Sequence, residues 1–336
     1  QLEAELDEAS FRIRHGVSCA GWRARARTGA ARGARAMIPA VSATSTAPPA
    51  RALRANARGI RAMVGAMACF IVNDTLVKLA SASLPAGQLI FVRGLMASLL
   101  VLAVMRATGV QVRLGVLTRG WVAGRAAIDA VASLGYLVSL FHLPIANATA
   151  INMASPLFIV ALAAPLAGER VDGRRWAAVA VGFVGVLAVI QPRVDGFNAF
   201  SLLCLAATLL HAVRDFATRR VPPGVPSLAI TLATAVAVTL LAGLVSIPQG
   251  WVALGAREWA LLAAASVFLA SGYHLIIRSV RVADVSAVAP FRYSGLLFAL
   301  VLGWAVWGDV PNALAWAGIA ALIGAGLYLI RRERRR

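Results

Sequence analysis

From about residue 60 onward the chain alternates long apolar runs with short, arginine-bearing breaks. Two such runs are 176-WAAVAVGFVGVLAVI-190 and 312-NALAWAGIAALIGAGLYLI-330. A helix needs about 20 mostly apolar residues to cross about 30 Å of hydrocarbon. Ten stretches fit this requirement: 60–80, 86–106, 120–141, 146–167, 175–191, 197–217, 227–247, 258–277, 284–307 and 312–331. The pattern therefore predicts an all-α integral membrane protein with ten transmembrane helices. Pro and Gly interrupt several runs, which helices in lipid tolerate when neighbours satisfy the freed backbone groups.

Composition strengthens this picture. Of 336 residues, 60% are hydrophobic and 14% charged, against about half and a quarter in soluble domains. The net charge of +19 would suggest nucleic acid in a soluble protein, but no RNA-recognition motif, zinc finger or aromatic-interleaved basic patch accompanies it. Lys78 is the only lysine, and the arginines gather in an N-terminal stretch and in the loops. One alternate set of loops, with the C-terminal 331-RRERRR-336, holds sixteen arginines, whereas the opposite set holds Arg193 and Arg257. By the positive-inside rule both ends of the chain are expected in the cytoplasm. Residues 1–59, including 22-WRARARTGAARGARA-36, read as a basic, low-complexity, disordered tail, and 332–336 as a basic cytoplasmic one. Met37 and Met63 stand out as alternative starts, which N-terminal sequencing of the native protein would test. Cys19, Cys69 and Cys204 have no pair spacing and suggest neither a disulfide framework nor a zinc site.

The two halves repeat. The segment 135-GYLVSLFHLPIANATAI-151 aligns with 272-GYHLIIRSVRVADVSAV-288, 168-GERVDGRRW-176 with 308-GDVPNALAW-316, and 73-NDTLVK-78 with 214-RDFATR-219. A repeat of five spans is odd, so the second copy must run upside down. Residues 60–191 and 197–331 are thus expected to form two inverted five-helix units, a recurrent transporter plan with the substrate site between the copies.

Ionisable groups within spans cost about 2.5–3.5 kcal/mol each on insertion scales and usually face a cavity or a partner. Asp74 and Lys78 are four apart on one face, as a gate, a proton-linked pair or a self-neutralised pair. Arg125 and Asp129 repeat that spacing, and continuing it places Ala132 and Tyr136 on the same stripe; Arg125 has snorkelling as its alternative. Arg93 can snorkel or bind an anion. Arg292 and Tyr293 follow Pro290, whose helix break frees a carbonyl, and the Arg292 fork suits a carboxylate or phosphate. His211 and Asp215, with Asp74, are candidates for proton coupling, and Tyr273 and His274 for substrate contact. Asn147, Asn152 and the helix-breaking Pro156 offer hydrogen bonds to substrate or between helices. Gly182, Gly185, Gly324 and Gly326 are read as close-packing positions, and Glu169 and Asp309 as local capping groups.

These features together resemble the drug/metabolite transporter superfamily and, within it, the EamA-type family, over about residues 60–331. The most specific stretch is 289-APFRYSGLLFALVLGWAVWGDVPN-312, with Gly318 and 326-GLYLIRRE-333 after it. It resembles a branch that includes S-adenosylmethionine and riboflavin uptake carriers, as does 72-VNDTLVK-78. Residues 1–59 have no counterpart there. The resemblance implies a central cavity and secondary transport, and it adds weight to Arg292.

The expected function is movement of a small polar metabolite (amino-acid, nucleoside or vitamin-like, anionic or zwitterionic favoured) across a membrane by alternating access. The alternatives are a membrane-embedded enzyme and a non-transport scaffold. No His-Glu-x-x-His motif, paired catalytic acids or phosphate-binding loop supports an enzyme or a nucleotide-driven pump. No cofactor, metal or nucleic acid is expected; a small-molecule substrate and the bilayer are, and a homodimer is admitted. Arginine in place of lysine points to a GC-rich bacterial genome, and so to the bacterial inner membrane.

Overall fold

The computed structural model describes residues 50–333 apart from 111–113, 119, 168–171, 192–197, 219, 223 and 284. The tail before Ala50, with Met37, and the expectations placed on Arg113, Arg119, Glu169, Arg170, Arg193, Arg219 and 334–336 lie outside the described residues. Within them the chain is helical and has no strand. Among the described residues ten helices are long and apolar enough to cross a membrane. They are α1 (Ala50–Ala80), α2 (Ala86–Ala107), α3 (Gly120–His142), α4 (Ile145–Asn152 and Ser155–Ala167), α5 (Gly173–Ile190), α6 (Ala199–Thr218), α7 (Ser227–Ser246), α8 (Ala256–Val282), α9 (Ala289–Trp307) and α10 (Ala313–Glu333).

Local chemistry sets the ends. Pro85, Pro144 and Pro226 stand just before α2, α4 and α7, where a proline's fixed φ and missing N–H cost no helix bond. Asp172, Asn198 and Asn312 accept backbone N–H bonds from Arg175, Phe200 and Ala315 at the starts of α5, α6 and α10, satisfying donors that a helix start leaves free. Gly308 ends α9 at φ 71°; its N–H reaches Trp304 O and that of Asp309 reaches Gly303 O, which closes the last carbonyls of the helix. Gln191 ends α5 at φ 48°, a conformation that a side chain disfavours. Its amide is held by Asn312 in both directions, at 2.6 and 2.8 Å.

Three expectations change. Residues 50–59, expected in a disordered tail, continue α1; Ala and Arg favour helix, and Gly59 packs against Ala283 of the loop after α8. The run expected at 146–167 is broken at Met153–Ala154, just before Pro156. That expected from 284 opens with a short α-helical turn at Val285–Val288 and then passes through a 3-10 turn at Ala289–Tyr293 containing Pro290.

The principal packing pairs are α1 with α8, α3 with α6, α2 with α7 and α5 with α10. Next come α3 with α7, α2 with α8, α1 with α9, and α4 with both α6 and α9. Leu89, Ile90, Leu140, Ile145 and Leu296 fill the centre, whereas Leu99, Val184, Leu240 and Leu297 are exposed on the outside, as a lipid-facing surface requires. Small residues let helices touch: a Cβ on Gly185 would stand 2.7 Å from Gly318 O, and one on Gly182 would crowd Leu157 and Ala325. Gly324, expected to pack closely, has nothing within 4 Å of a Cβ, because it is on the exposed side of α10.

Gly185→Ala should therefore destabilise the protein by about 1–3 kcal/mol, the usual cost of overpacking, while Gly324→Ala should change it by no more than about 0.5 kcal/mol. Unfolding in mixed micelles checks this, and equal effects at the two positions would refute the close crossing of α5 and α10.

Candidate functional site

A cavity of 310 Å³ lies among α2, α3, α7 and α8, with contributions from α6 and the start of α9. On α3, residues at four-residue spacing face it: Arg125, Asp129, Ser133 and Leu137. The stripe expected through Ala132 and Tyr136 leaves the cavity after Asp129. Ala132 is fully buried, and the Tyr136 hydroxyl donates to Asp74 Oδ2 on α1 at 2.9 Å.

Asp129 organises the charges. Its side chain is 6% exposed; Oδ1 accepts from Arg214 Nη1 at 2.8 Å, and Oδ2 lies 3.5 Å from Arg125 Nη1. Arg214 also donates to Asp215 Oδ1 from Nε and Nη2, at 3.0 and 2.8 Å. Arg125 further donates to the hydroxyls of Thr218 and Thr234, at 2.8 and 2.7 Å. It is therefore tied to α6 and α7. His211 sits beneath this cluster, its Nδ1 3.3 Å from Asn152 Oδ1 and its Nε2 3.9 Å from Asp129. Thus Asn152, His211 and Asp215 join one polar network around Asp129, and none of the three lines the cavity itself.

Two arginines of the lining stand outside these pairs. Arg93 on α2 is 9% exposed, and its buried Nε has no hydrogen-bond partner. Asp74 attracts it electrostatically, while the Asp74 carboxylate accepts from the Tyr136 hydroxyl at 2.9 Å and from the Asn73 amide at 2.8 Å. Arg292, on the 3-10 turn of α9, is exposed and lines the cavity. Tyr273 on α8 is 44% exposed yet lines the cavity, its ring packed edge-on against Phe70 at 5.3 Å.

The remaining candidates lie elsewhere. Tyr293 is buried against Gly326, where a Cβ would collide with its hydroxyl. His274 is exposed and does not line the cavity. Asp74 and Lys78, four apart, turn to different partners: Lys78 donates to Leu143 O and lies 5.1 Å from the Trp307 ring centroid. With the reciprocal Gln88–Val252 bonds at 2.6 and 2.9 Å, this closes the ends of α1 and α2 opposite Arg292. A smaller cavity of 250 Å³, lined by Asn147, Gln191, Asp309 and Asn312 among others, lies at that end. Sequence reasoning passed over Gln88, Arg214 and Thr234; Arg214 carried a signal in its alignment with Asn73, next to Asp74, but was counted as a loop charge.

Ten apolar helices among the described residues, six of them lining a basic, part-apolar cavity, define a membrane protein built like a solute transporter. The chain belongs to the EamA-like transporter family, which matches residues 57–191 and again 199–332, and with it to the drug/metabolite transporter superfamily. It is 30% identical over 274 residues to the pseudopaline exporter CntI of Pseudomonas aeruginosa, covering 79% of this chain and 93% of that one. It is 26% identical over 270 residues to a riboflavin transporter of Vibrio cholerae, covering 80% and 91%. An S-adenosylmethionine uptake transporter of Rickettsia prowazekii is 26% identical over 195 residues, covering 57% and 65%. A crystal structure of another protein shares the fold with a TM-score of 0.56 at 20% identity, covering 82% of this chain and 98% of that one.

Asp129→Asn should leave two mostly buried arginines short of their shared carboxylate. Breaking a buried pair costs about 3–5 kcal/mol; Arg214 keeps Asp215 and Arg125 keeps two threonines, so the expected loss is nearer about 2 kcal/mol. In a double-mutant cycle, Arg125→Gln combined with Asp129→Asn should lose less than the sum of the two single losses. Strict additivity would dissolve the pair.

Proposed function

We propose that the protein carries a small anionic or zwitterionic metabolite across the bacterial inner membrane by alternating access. The observation that carries this reading is the charge of the cavity: Arg93, Arg125, Arg214 and Arg292 against Asp129 as the one lining carboxylate among the described residues. Guanidinium groups facing a cavity in a low-dielectric setting favour carboxylate or phosphate ligands.

The mechanism we infer rests on two inverted units, 60–191 and 197–331. Their support is the packing itself: exchanging each helix with the one five places along maps the principal pairs onto one another. The α1–α8 pair becomes α6–α3, α3–α7 becomes α8–α2, α1–α9 becomes α6–α4, and α5–α10 and α2–α7 map onto themselves. The broken helices α4 and α9 also correspond. The excess of arginine on the loops of one face supports cytoplasmic ends for the chain. In that orientation the Arg125, Arg214 and Arg292 end of the cavity faces the cytoplasm, and the Lys78 and Gln88 contacts close the outer side. Coupling to a proton through Asp74, His211 or Asp215 belongs to the same proposal. The named relatives include an exporter and an uptake carrier, so direction is not carried over from them.

The test is countertransport in proteoliposomes, with labelled amino acids, nucleosides, S-adenosylmethionine, riboflavin and organic anions outside and the same unlabelled solute inside. A carrier shows faster uptake with the solute on the trans side; an enzyme or scaffold shows none. For the solute carried, Arg292→Gln should lower uptake by about tenfold or more, the size of one charge-assisted hydrogen bond. Uptake confined to cations would refute the anionic reading.

A further inference from the structure

The four arginines of the cavity are not equivalent. Arg125 and Arg214 are neutralised by Asp129 and Asp215. Arg292 is open to water at the start of α9. Of these four, Arg93 alone combines depth with unmet bonding: it is 9% exposed, its Nε is buried without a partner, and it lines the cavity, whereas Arg175, equally buried with an unpartnered Nε, lies on α5 outside it. A guanidinium is an obligate donor that stays charged, so leaving it unmatched inside a membrane protein is costly. The wall around it is of a different character. Ile90, Ala97 and Val101 on α2, Leu137 on α3 and Leu269 on α8 are apolar. Tyr273, edge-on to Phe70, lines the same space.

We infer that Arg93 is the anchoring residue for one carboxylate or phosphoryl group of the substrate, whose flat, mostly apolar body lies against Tyr273. This rests on the carrier reading and narrows its substrate class to amphipathic organic anions bearing one such group at the deep end of the site. Arg292 at the mouth then serves entry, and Arg125 and Arg214 shape the wall. The volume of 310 Å³ is at the lower end of the about 300–1,000 Å³ range of ligand sites, which suits a body of one or two fused rings.

The experiment uses the full-length purified protein and two probes of one shape, 1-naphthoate and its neutral amide, 1-naphthamide, with thermal unfolding as readout. The wild type should be stabilised by naphthoate and at least about tenfold more weakly by the amide. Arg93→Gln should lose naphthoate binding by at least about tenfold, and Arg93→Lys should fall between, keeping the charge and losing the fork. Tyr273→Ala should weaken naphthoate as well. A second readout needs no ligand: because Arg93 is buried without partners, Arg93→Gln should unfold at a higher temperature than the wild type. Equal binding of the amide, naphthoate binding retained in Arg93→Gln, a lower unfolding temperature for that variant, or no naphthoate binding by the wild type would each overturn the assignment. Countertransport of another anion would in those cases still stand, so the carrier reading fails or survives on its own measurement.

Discussion

Asp129 is the group on which the charged interior depends. Without it Arg125 and Arg214, on α3 and α6, would stand as like charges beside one another. With it, one carboxylate at 6% exposure takes a bond from Arg214 and an ion-pair contact from Arg125. Ionised groups in the membrane interior are affordable when they neutralise one another. The threonines of α6 and α7 that take the other Arg125 protons extend the tie across three helices. Those two arginines become fixed architecture, and in the proposed carrier ligand attraction falls to the two that Asp129 does not reach.

The neutral part of the structure obeys a second constraint, close contact through small residues. Lipid tails are as apolar as leucine, so helices associate in a membrane by packing and hydrogen bonds. Gly59 meets Ala283, Gly94 meets Thr239 and Gly185 meets Gly318 at distances that forbid a side chain. These contacts lie within or beside the pairs α1–α8, α2–α7 and α5–α10. In the carrier reading such interfaces are smooth enough to move as blocks, and the breaks at Met153–Ala154 and Ala289–Tyr293 supply places where a helix bends without losing a full ladder of hydrogen bonds.

Much of this was legible in the sequence, and the reasons for the rest are physical. Apolar run length gave all ten helices because lipid contact demands it of each one independently. The Arg125–Asp129 pair was legible because both partners sit on one helix at i and i+4. Asp74 and Lys78 have the same spacing and do not pair: Tyr136 and Leu143 O, from other parts of the fold, offer closer partners. Arg214 was hidden for a similar reason, since its partner Asp129 lies 85 residues away and its position near a helix end resembled an orientation signal. Tyr136 was placed on the cavity by extending a stripe at fixed spacing, but a helix advances about 100° per residue, so the choice between residues 132 and 133 decides which neighbour is faced. Gly318 outranks Gly324 as a packing residue because only the former points at α5.

The division of labour among the arginines also bears on the proposed anion site at Arg93. Asp74 attracts Arg93 at a distance, which lowers the cost of holding that cation in an apolar wall. Its oxygens accept from Tyr136 and Asn73 rather than from Arg93. Long-range attraction without hydrogen bonds leaves the fork charged, oriented and unsatisfied. In the proposed site a ligand carboxylate gains the bonds that water or a protein carboxylate would otherwise fill, and on release it leaves Arg93 to the attraction of Asp74. A fully paired Arg93 would make a more stable protein with no use for an anion; an Arg93 without Asp74 nearby would be expelled toward water. The geometry lies between these limits, which is the condition that the proposed anion site requires.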